Sequence, residues 1–382
     1  MSTAPRRRPG WQSAILQDLV FFQRGYDITK AEQKPGNIPV VSSSGVNSYH
    51  SEAKVDGPGV VIGRKGSLGT VHYVDGPYWP HDTTLWSRDF KGNLPRFVFY
   101  FLQTLGLERY DVGNSNPTLN RNHIHRLDIL LPEYQIQERI VEVLSAYDDL
   151  IENNRRRIQL LEEAARLLYR EWFVNLRFPG HEHVAIKDGV PEGWEKKTLV
   201  EIAATNVESY KASALPDIIN YIDISSVKQG RIINKNTMPS SEAPGRARRK
   251  ARPGDIIWSN VRPNLRAFAL IPDPEENDVF STGFTVISPI TVPFTYLYLF
   301  VTTDEFVGHL VNHTTGASYP AVRPEDFERA IVLVPPKQML ELFNEKAEPI
   351  YKFISVLEEE MKLLAQARDL LLPRLMNGEI AV

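Results

Sequence analysis

The sequence predicts an α+β chain made of two like halves in tandem repeat, each a mixed globular domain followed by a long helix, with the two helices paired as an antiparallel coiled coil. Three observations predict it. A helix-period pattern fills the stretch from Ile136 to Phe173, a second such pattern runs near the C-terminus, and the same order of features occurs twice along the 382 residues.

In the first pattern apolar residues fall at Ile136, Ile140, Val143, Tyr147, Leu150, Ile158, Leu161, Ala165, Leu168 and Trp172, in steps mostly of three and four, with no glycine or proline among them. At ~1.5 Å per residue such a helix reaches about 57 Å, more than a small domain is wide. So narrow a stripe needs a partner of similar length. Met339, Phe343, Ala347, Ile350, Ile354, Leu357, Met361, Leu364 and Leu371 supply one from the same chain. Asn154 falls on the first seam, and the two steps of four around it, from Leu150 to Ile158, predict a shift of heptad frame. Pro349 removes a backbone hydrogen bond and predicts a kink in the second helix or a late start.

The repeat is visible in residues far apart. Gly10-Trp11 matches Gly193-Trp194, and Leu19-Val20 is echoed by Leu199-Val200. Pro58-Gly59 stands before Val60-Val61-Ile62 as Pro253-Gly254 stands before Asp255-Ile256-Ile257. Further on, Gly113, Ser115, Pro117, Ile124, Pro132, Gln135 and Glu138 meet Gly316, Ser318, Pro320, Phe327, Pro335, Gln338 and Glu341 in one register. The offset grows along the chain, so the second copy carries extra residues in loops between shared framework positions. Short β-branched and aromatic runs broken by Gly and Pro, such as Gly69 to Val74 and Val279 to Ser288, predict strands, and Pro95 to Leu105 and Pro293 to Val311 predict helices. The domains expected are 1–132 and 179–334, with helical regions 133–178 and 335–382.

The bulk numbers exclude several classes. A chain of 382 residues exceeds one compact core. With no cysteine there is no disulfide framework and no zinc-thiolate site, which permits a cytoplasmic setting. The longest apolar runs, Phe97 to Leu102 and Tyr296 to Val301, are far short of the ~20 residues of a membrane span, so no membrane is expected as a partner. A net charge of −3 argues against a uniformly basic nucleic-acid binder. Basic charge is local instead: between 246 and 266 stand Arg246, Arg248, Arg249, Lys250, Arg252, Arg262 and Arg266 against Asp255 alone, as on a binding face.

Enzyme patterns fail one by one. Gly63-Arg64-Lys65-Gly66-Ser67-Leu68-Gly69 lacks the order of a phosphate-wrapping loop and predicts a basic turn. Asn116-Pro117-Thr118-Leu119 lacks the second proline and the aromatic of an adenine-methyltransferase motif, and no glycine-rich cofactor loop follows a strand. Pro216-Asp217 with Glu360-Met361-Lys362 is too short a nuclease pattern to carry weight. His123-x-His125 and His181-x-His183 have no carboxylates at metal-ligand spacing and are expected in turns or on the surface. No catalytic residue, metal ligand or cofactor site is expected.

The run from Leu130 to Ile140, with Pro132 and Gln135 inside it, then Leu168-Tyr169-Arg170-Glu171-Trp172-Phe173, resembles the central region of specificity subunits of type I restriction-modification enzymes. Val332 to Pro336, Gln338 and the segment Leu371 to Ile380 resemble that family's second such region. The resemblance spans the whole length. Pro349 and the stretch Met339 to Phe343 depart from the family's pattern at the start of the second helix.

The resemblance implies a non-catalytic DNA reader whose two target-recognition domains, held apart by the helix pair, each read one part of a bipartite sequence. It also implies docking of two methyltransferase subunits that carry S-adenosylmethionine, to which a motor-nuclease subunit can be added. The residues expected at the DNA are Arg64, Lys65, Ser67 and Asn116 in the first domain. In the second they are Arg246, Arg248, Arg249, Lys250, Arg262, Asn264, Arg266 and Tyr319, since Arg and Lys bond guanine edges or phosphates and Asn pairs with adenine. Different loop residues in the two copies predict two dissimilar half-sites. The alternative is a coiled-coil adaptor that binds only proteins.

Overall fold

A computed structural model describes residues 9–111, 117–316 and 318–382. The chain divides into two compact units, Met1–Asn153 with Glu360–Val382, and Asn154–Glu359. Each therefore holds a globular part and one half of each long helix.

In the first unit the strand Trp11–Ile15 pairs antiparallel with Asp128–Pro132, bringing the two ends of the globular part together. Between them Phe21–Arg24, Thr84–Asp89, Gly59–Gly63 and Val71–Val74 form a four-stranded antiparallel sheet in that order. Gly45–His50, Ile38–Ser42 and Trp79–Pro80 form a second sheet, whose last pair is parallel. Gly59–Gly63 is buried along its whole length, which is why it reads as an unbroken apolar run. The helix Pro95–Gln103 opens on a proline, at a position whose N–H would have no helical acceptor, and buries Phe97, Val98 and Phe101. These join Leu16, Leu19, Phe22 and Val60 in one core that also takes in Ile140, Leu144, Leu372 and Leu375 of the long helices.

The second unit repeats this plan strand for strand. Glu195–Thr198 pairs with Ile331–Val334, and Ala203–Thr205, Phe284–Pro289, Asp255–Ser259 and Phe268–Ile271 form the four-stranded sheet. Asn236–Pro239, Ile218–Ile222, Asp278–Ser281 and Ala247–Arg249 form the other, again with one parallel pair, Ile218–Ile222 on Asp278–Ser281. Among the additions in this copy are the edge strand Ala247–Arg249 and the helix Asp304–Asn312. The helix expected from Pro293 to Val311 is broken in two, Phe294–Val301 and Asp304–Asn312. The hydroxyl of Thr303 accepts from the N–H of Phe306 at 3.2 Å and caps the second piece.

The first long helix is α-helical over Tyr134–Tyr169 and continues as a π turn over Arg170–Val174; the second runs Lys337–Met376. The wider π turn lets the consecutive Trp172 and Phe173 both bury, beside Tyr169. Contacts within each unit show the antiparallel pairing. In the first unit Arg368 donates to Asp148 at 2.6 Å, and in the second Arg157 lies 5.0 Å over the Phe353 ring while Phe343 packs on Tyr169 and Trp172. Numbers rise on one helix as they fall on the other.

Each globular part is tied to its portion of the helices by a polar contact. Tyr100 donates to Asp148 at 2.5 Å in the first unit. In the second, Arg231 reaches Glu162 at 3.4 Å and Glu358 at 4.0 Å, one carboxylate from each helix.

Two expectations about the helices are corrected. Val143 and Leu150 are exposed, whereas Leu144 is buried and Ile151 half-buried. The seam then runs through Ile140, Leu144, Tyr147, Ile151, Asn154, Ile158, Leu161 and Ala165 in alternating fours and threes, with no shift of frame at Asn154. Apolar neighbours at 143/144 and 150/151 made the choice ambiguous, and continuity of the heptad decides it. On the second helix the same one-residue correction buries Leu340, Tyr351 and Leu372 more deeply than Met339, Ile350 and Leu371. Nor does that helix start late. Pro349 and Glu345, whose carbonyl loses its helical donor, both lie on the exposed side, where water can bond the carbonyl.

His125 lies in a turn, as expected of it, and is buried there: its Nε2 accepts from the N–H of Phe22 at 3.0 Å. Burial, assisted by Arg121, lowers its pKa. Its unfolded value is about 6.5, so below that pH the unfolded chain gains a proton that the folded ring resists, and stability present above pH ~6.5 is lost as pH falls toward the folded value. Thermal unfolding between pH 7.5 and 5 is expected to show a steeper acid loss for the native chain than for His125→Gln. Equal slopes would contradict this role.

Candidate nucleic-acid interface

In each globular part three loops are stitched together beyond the end of the buried central strand. In the first, Arg64 and Lys65 both donate backbone N–H groups to the Thr83 carbonyl, at 2.8 and 3.1 Å, and the Arg64 carbonyl accepts from Leu119 at 2.9 Å. Lys65 also bridges Thr118. In the second, Asn260 donates to the Gly283 carbonyl and its own carbonyl accepts from Val322, Val261 bridges Ala321, and Arg262 donates to the Pro320 carbonyl. The matching stitches align Arg64 with Asn260, Lys65 with Val261 and Gly66 with Arg262.

The loop after the strand differs between copies in one telling way. Gly66 and Gly69 have φ of 76° and 74°; Arg262 and Arg266, at the corresponding ends of a turn one residue longer, have φ of 49° and 54°. Glycine adopts this left-handed conformation freely, whereas an L side chain costs roughly 1–2 kcal/mol there. Two arginines are held where the twin domain has glycine. Arg262 lies over the ring of Tyr319 at 5.4 Å, and Tyr319 and Asn264 are exposed. Arg266 pairs with the exposed Asp304.

The basic run from 246 to 252 separates into different roles. Arg246 is exposed, on the loop leading into the edge strand. Arg248 donates to the Ala247 carbonyl at 2.6 Å, and Arg249 is half-buried, donates to Ser209 at 3.1 Å and has its pKa lowered by burial. Lys250 lies over Tyr210 at 4.6 Å and 3.7 Å from Glu208, to which Arg252 also bonds through Nε at 2.8 Å. Glu208 thus offsets much of the charge that made this run conspicuous.

In the first domain Lys65 and Ser67 are exposed, while Asn116 lies outside the described residues. Arg64 is half-buried and shares a cavity of about 320 Å³ with Arg24, Arg121, Leu85, Thr118, Leu119 and Asn120. Arg24 pairs with Asp82 at 3.0 Å. Nη1 of Arg64 is buried and has no hydrogen-bond partner among the described residues. Arg24 and Arg121 escape a reading of the sequence, because each is an isolated charge in its own stretch and only the folded chain gathers them.

Among the described residues no cluster of three or more His, Asp or Glu side chains could hold a metal ion, and no helix is long and apolar enough to cross a membrane.

Residues 9–163 match the family model described as Type I restriction modification DNA specificity domain. The type I restriction enzyme MjaIX specificity subunit of Methanocaldococcus jannaschii is 23% identical over 312 residues, which cover 76% of this chain and 70% of that protein. The HindI specificity subunit of Haemophilus influenzae is 20% identical over 372 residues, covering 75% of this chain and 78% of that one. The crystal structure of a type I restriction-modification S subunit from M. genitalium matches with a TM-score of 0.61 at 15% identity, over 98% of both chains, and shows the fold. The family resemblance carried by the Pro132/Gln135 and Pro335/Gln338 segments is borne out.

Proposed function

We propose that this chain, whose residues 9–163 form a type I restriction modification DNA specificity domain, reads a bipartite, asymmetric DNA sequence for a restriction-modification complex and carries no catalytic centre of its own. One observation carries the reading. The matched domain recurs strand for strand in the second half, with different side chains on the same three stitched loops. Two copies of one frame bearing different loop residues suit two dissimilar half-sites, since base edges are told apart by the side chains that reach them.

In this reading residues 1–132 and 179–334 are the readers and 133–178 with 335–382 the spacer. Duplex DNA turns once in about 34 Å, so readers on one side of it need a rigid link of tens of ångströms. A helix of 36 residues, about 54 Å long, is of that order. The helical region also docks two methyltransferase subunits, which supply S-adenosylmethionine, and a restriction subunit can join them, in the cytoplasm where the DNA is. In the first domain Arg64, Lys65 and Ser67 face the duplex, and Asn116, which lies outside the described residues, is assigned to it from the sequence alone. Arg246, Arg248, Arg249, Lys250, Arg262, Asn264, Arg266 and Tyr319 face it in the second, with Arg246 and Arg262 foremost because their charge is least committed to the fold.

The test is selection from random duplexes by the full chain in its methyltransferase complex. Two unlike half-sites separated by a fixed gap are expected, bound with affinity that falls steeply with salt. A palindrome, or no enrichment at all, would remove this reading, and the second of these would favour the protein-binding adaptor.

A further inference from the structure

We infer that Arg24, Arg64 and Arg121 of the first domain form a seat for a backbone phosphate of the DNA, which grips the duplex without reading its sequence. The inference rests on the DNA-binding role proposed above and assigns a separate task within it.

Three arginines line one cavity of about 320 Å³, and among the described residues Asp82, bonded to Arg24, is the carboxylate paired with one of them. The cluster is therefore left with excess positive charge in a concave place. Its innermost member is fixed by the backbone: Arg64 donates its N–H to Thr83 and accepts from Leu119, immediately after the fully buried strand Gly59–Gly63. Its side chain is half-buried, and Nη1 has no hydrogen-bond partner among the described residues. A buried charged donor with no partner costs the fold free energy. An anion in the cavity would offset the mutual repulsion of the arginines. Desolvation and then Arg24 depress the Arg64 pKa, against an opposing effect of Asp82, and a bound anion would raise it.

A phosphate suits the cavity better than a base does. Three cations from three separate segments (24, 64 and 121) converge on one volume, the arrangement for a compact anion with several oxygens. Asn120 and Thr118 at the rim add polar groups but no further charge. The second domain has no such seat. The strand pairing and the loop stitches place Val207 where Arg24 stands, Asn260 where Arg64 stands, and the common offset places Pro324 at Arg121. Asn260 is already engaged, accepting from Thr285 at 2.7 Å. The two domains thus divide the work unequally, with a sequence-blind clamp built into the first.

The test measures affinity of the full chain in its methyltransferase complex for the selected duplex and for a scrambled one, across a range of salt, for the native chain, Arg64→Gln and Arg121→Gln. Arg121 is exposed, so its variant reports even if Arg64→Gln disturbs folding, and matched thermal unfolding checks both. Each variant is expected to weaken binding to both duplexes by the same factor, about tenfold, and to lower the slope of log K against log salt by about 1. A loss confined to the selected duplex would make these residues base readers and overturn the inference. Unchanged affinity and slope would overturn it as well, and so would loss of inorganic phosphate binding by calorimetry with duplex binding intact, which would mark a free-anion site. A native chain that binds both duplexes equally would remove the sequence-reading role and leave the seat standing. One that binds no duplex would remove both.

Discussion

Replacing Phe343 by alanine is expected to destabilise the unit Asn154–Glu359 by about 3–5 kcal/mol, the range for removing a fully buried aromatic ring. Phe343 has no exposed surface and lies 4.8 Å from the ring of Phe173, 5.8 Å from Trp172 and 6.2 Å from Tyr169. Phe173 in turn touches Tyr296 at 4.9 Å and Trp194 at 5.9 Å. This aromatic cluster joins the two long helices to the second globular part. Large planar rings on all sides cannot close over the space a phenyl group leaves, so the cavity term persists. Phe353 supplies the control. It is 40% exposed and touches Arg157 through a cation–π contact, so Phe353→Ala should cost only about 0.5–1 kcal/mol. Denaturant unfolding of the two variants checks the contrast, and a loss below about 1 kcal/mol for Phe343→Ala would contradict this packing.

Substituting glycine for both Arg262 and Arg266, with Asn264→Ala, is expected to flatten base preference in one half-site while leaving the unfolding midpoint unchanged or slightly raised. The directions are opposite for one reason. Left-handed φ at two arginines is a conformational cost the fold carries, and glycine would relieve it. The Arg266–Asp304 pair that is lost has an exposed carboxylate and adds at most about 1 kcal/mol. Against that, each good contact to a base edge is worth about 1–3 kcal/mol of discrimination, so each one lost makes the preference at its position fall by about five- to 150-fold. Repeating the duplex selection with this variant shows which half-site has lost its preference. A selected site unchanged in both halves would mean that the arginines are strained for a purpose other than reading.

Much of the fold could be read from the residues because the repeat supplies an internal check. Pro58-Gly59 against Pro253-Gly254, and Pro132 with Gln135 against Pro335 with Gln338, mark the same strand and the same helix start in both halves, and the strand pairing bears them out. The seam was legible only to within a residue. Val143 and Leu144, like Leu150 and Ile151, are equally apolar, and only packing against a partner decides which of them turns inward. Pro349 does not delay the start of the second helix, for a related reason: the carbonyl it strands lies where water can reach it.

The candidate interface was less legible. A dense basic run at 246–252 drew attention by its spacing, yet Glu208, some forty residues earlier in the chain, draws Lys250 and Arg252 back into the fold. Single arginines at 24 and 121 carried no local signal and meet only through sheet pairing and the loop stitches. The left-handed arginines were named for their charge alone, because backbone conformation at 262 and 266 is set by the stitched loops and not by the neighbouring residues.

The central claim is that paired helices of fixed length set the separation of two reading domains, and lengthening them tests it most directly. Three heptads added to each helix, beside Ile151 and beside Met361, would extend the pair by about 31 Å, close to the ~34 Å of one duplex turn, so that both readers still face the same side of the DNA. Sequencing of methylated adenines in a host carrying the lengthened chain and its methyltransferase partner is predicted to return both half-sites unchanged, with the gap between them longer by about nine base pairs. Methylation at the original gap would contradict the account.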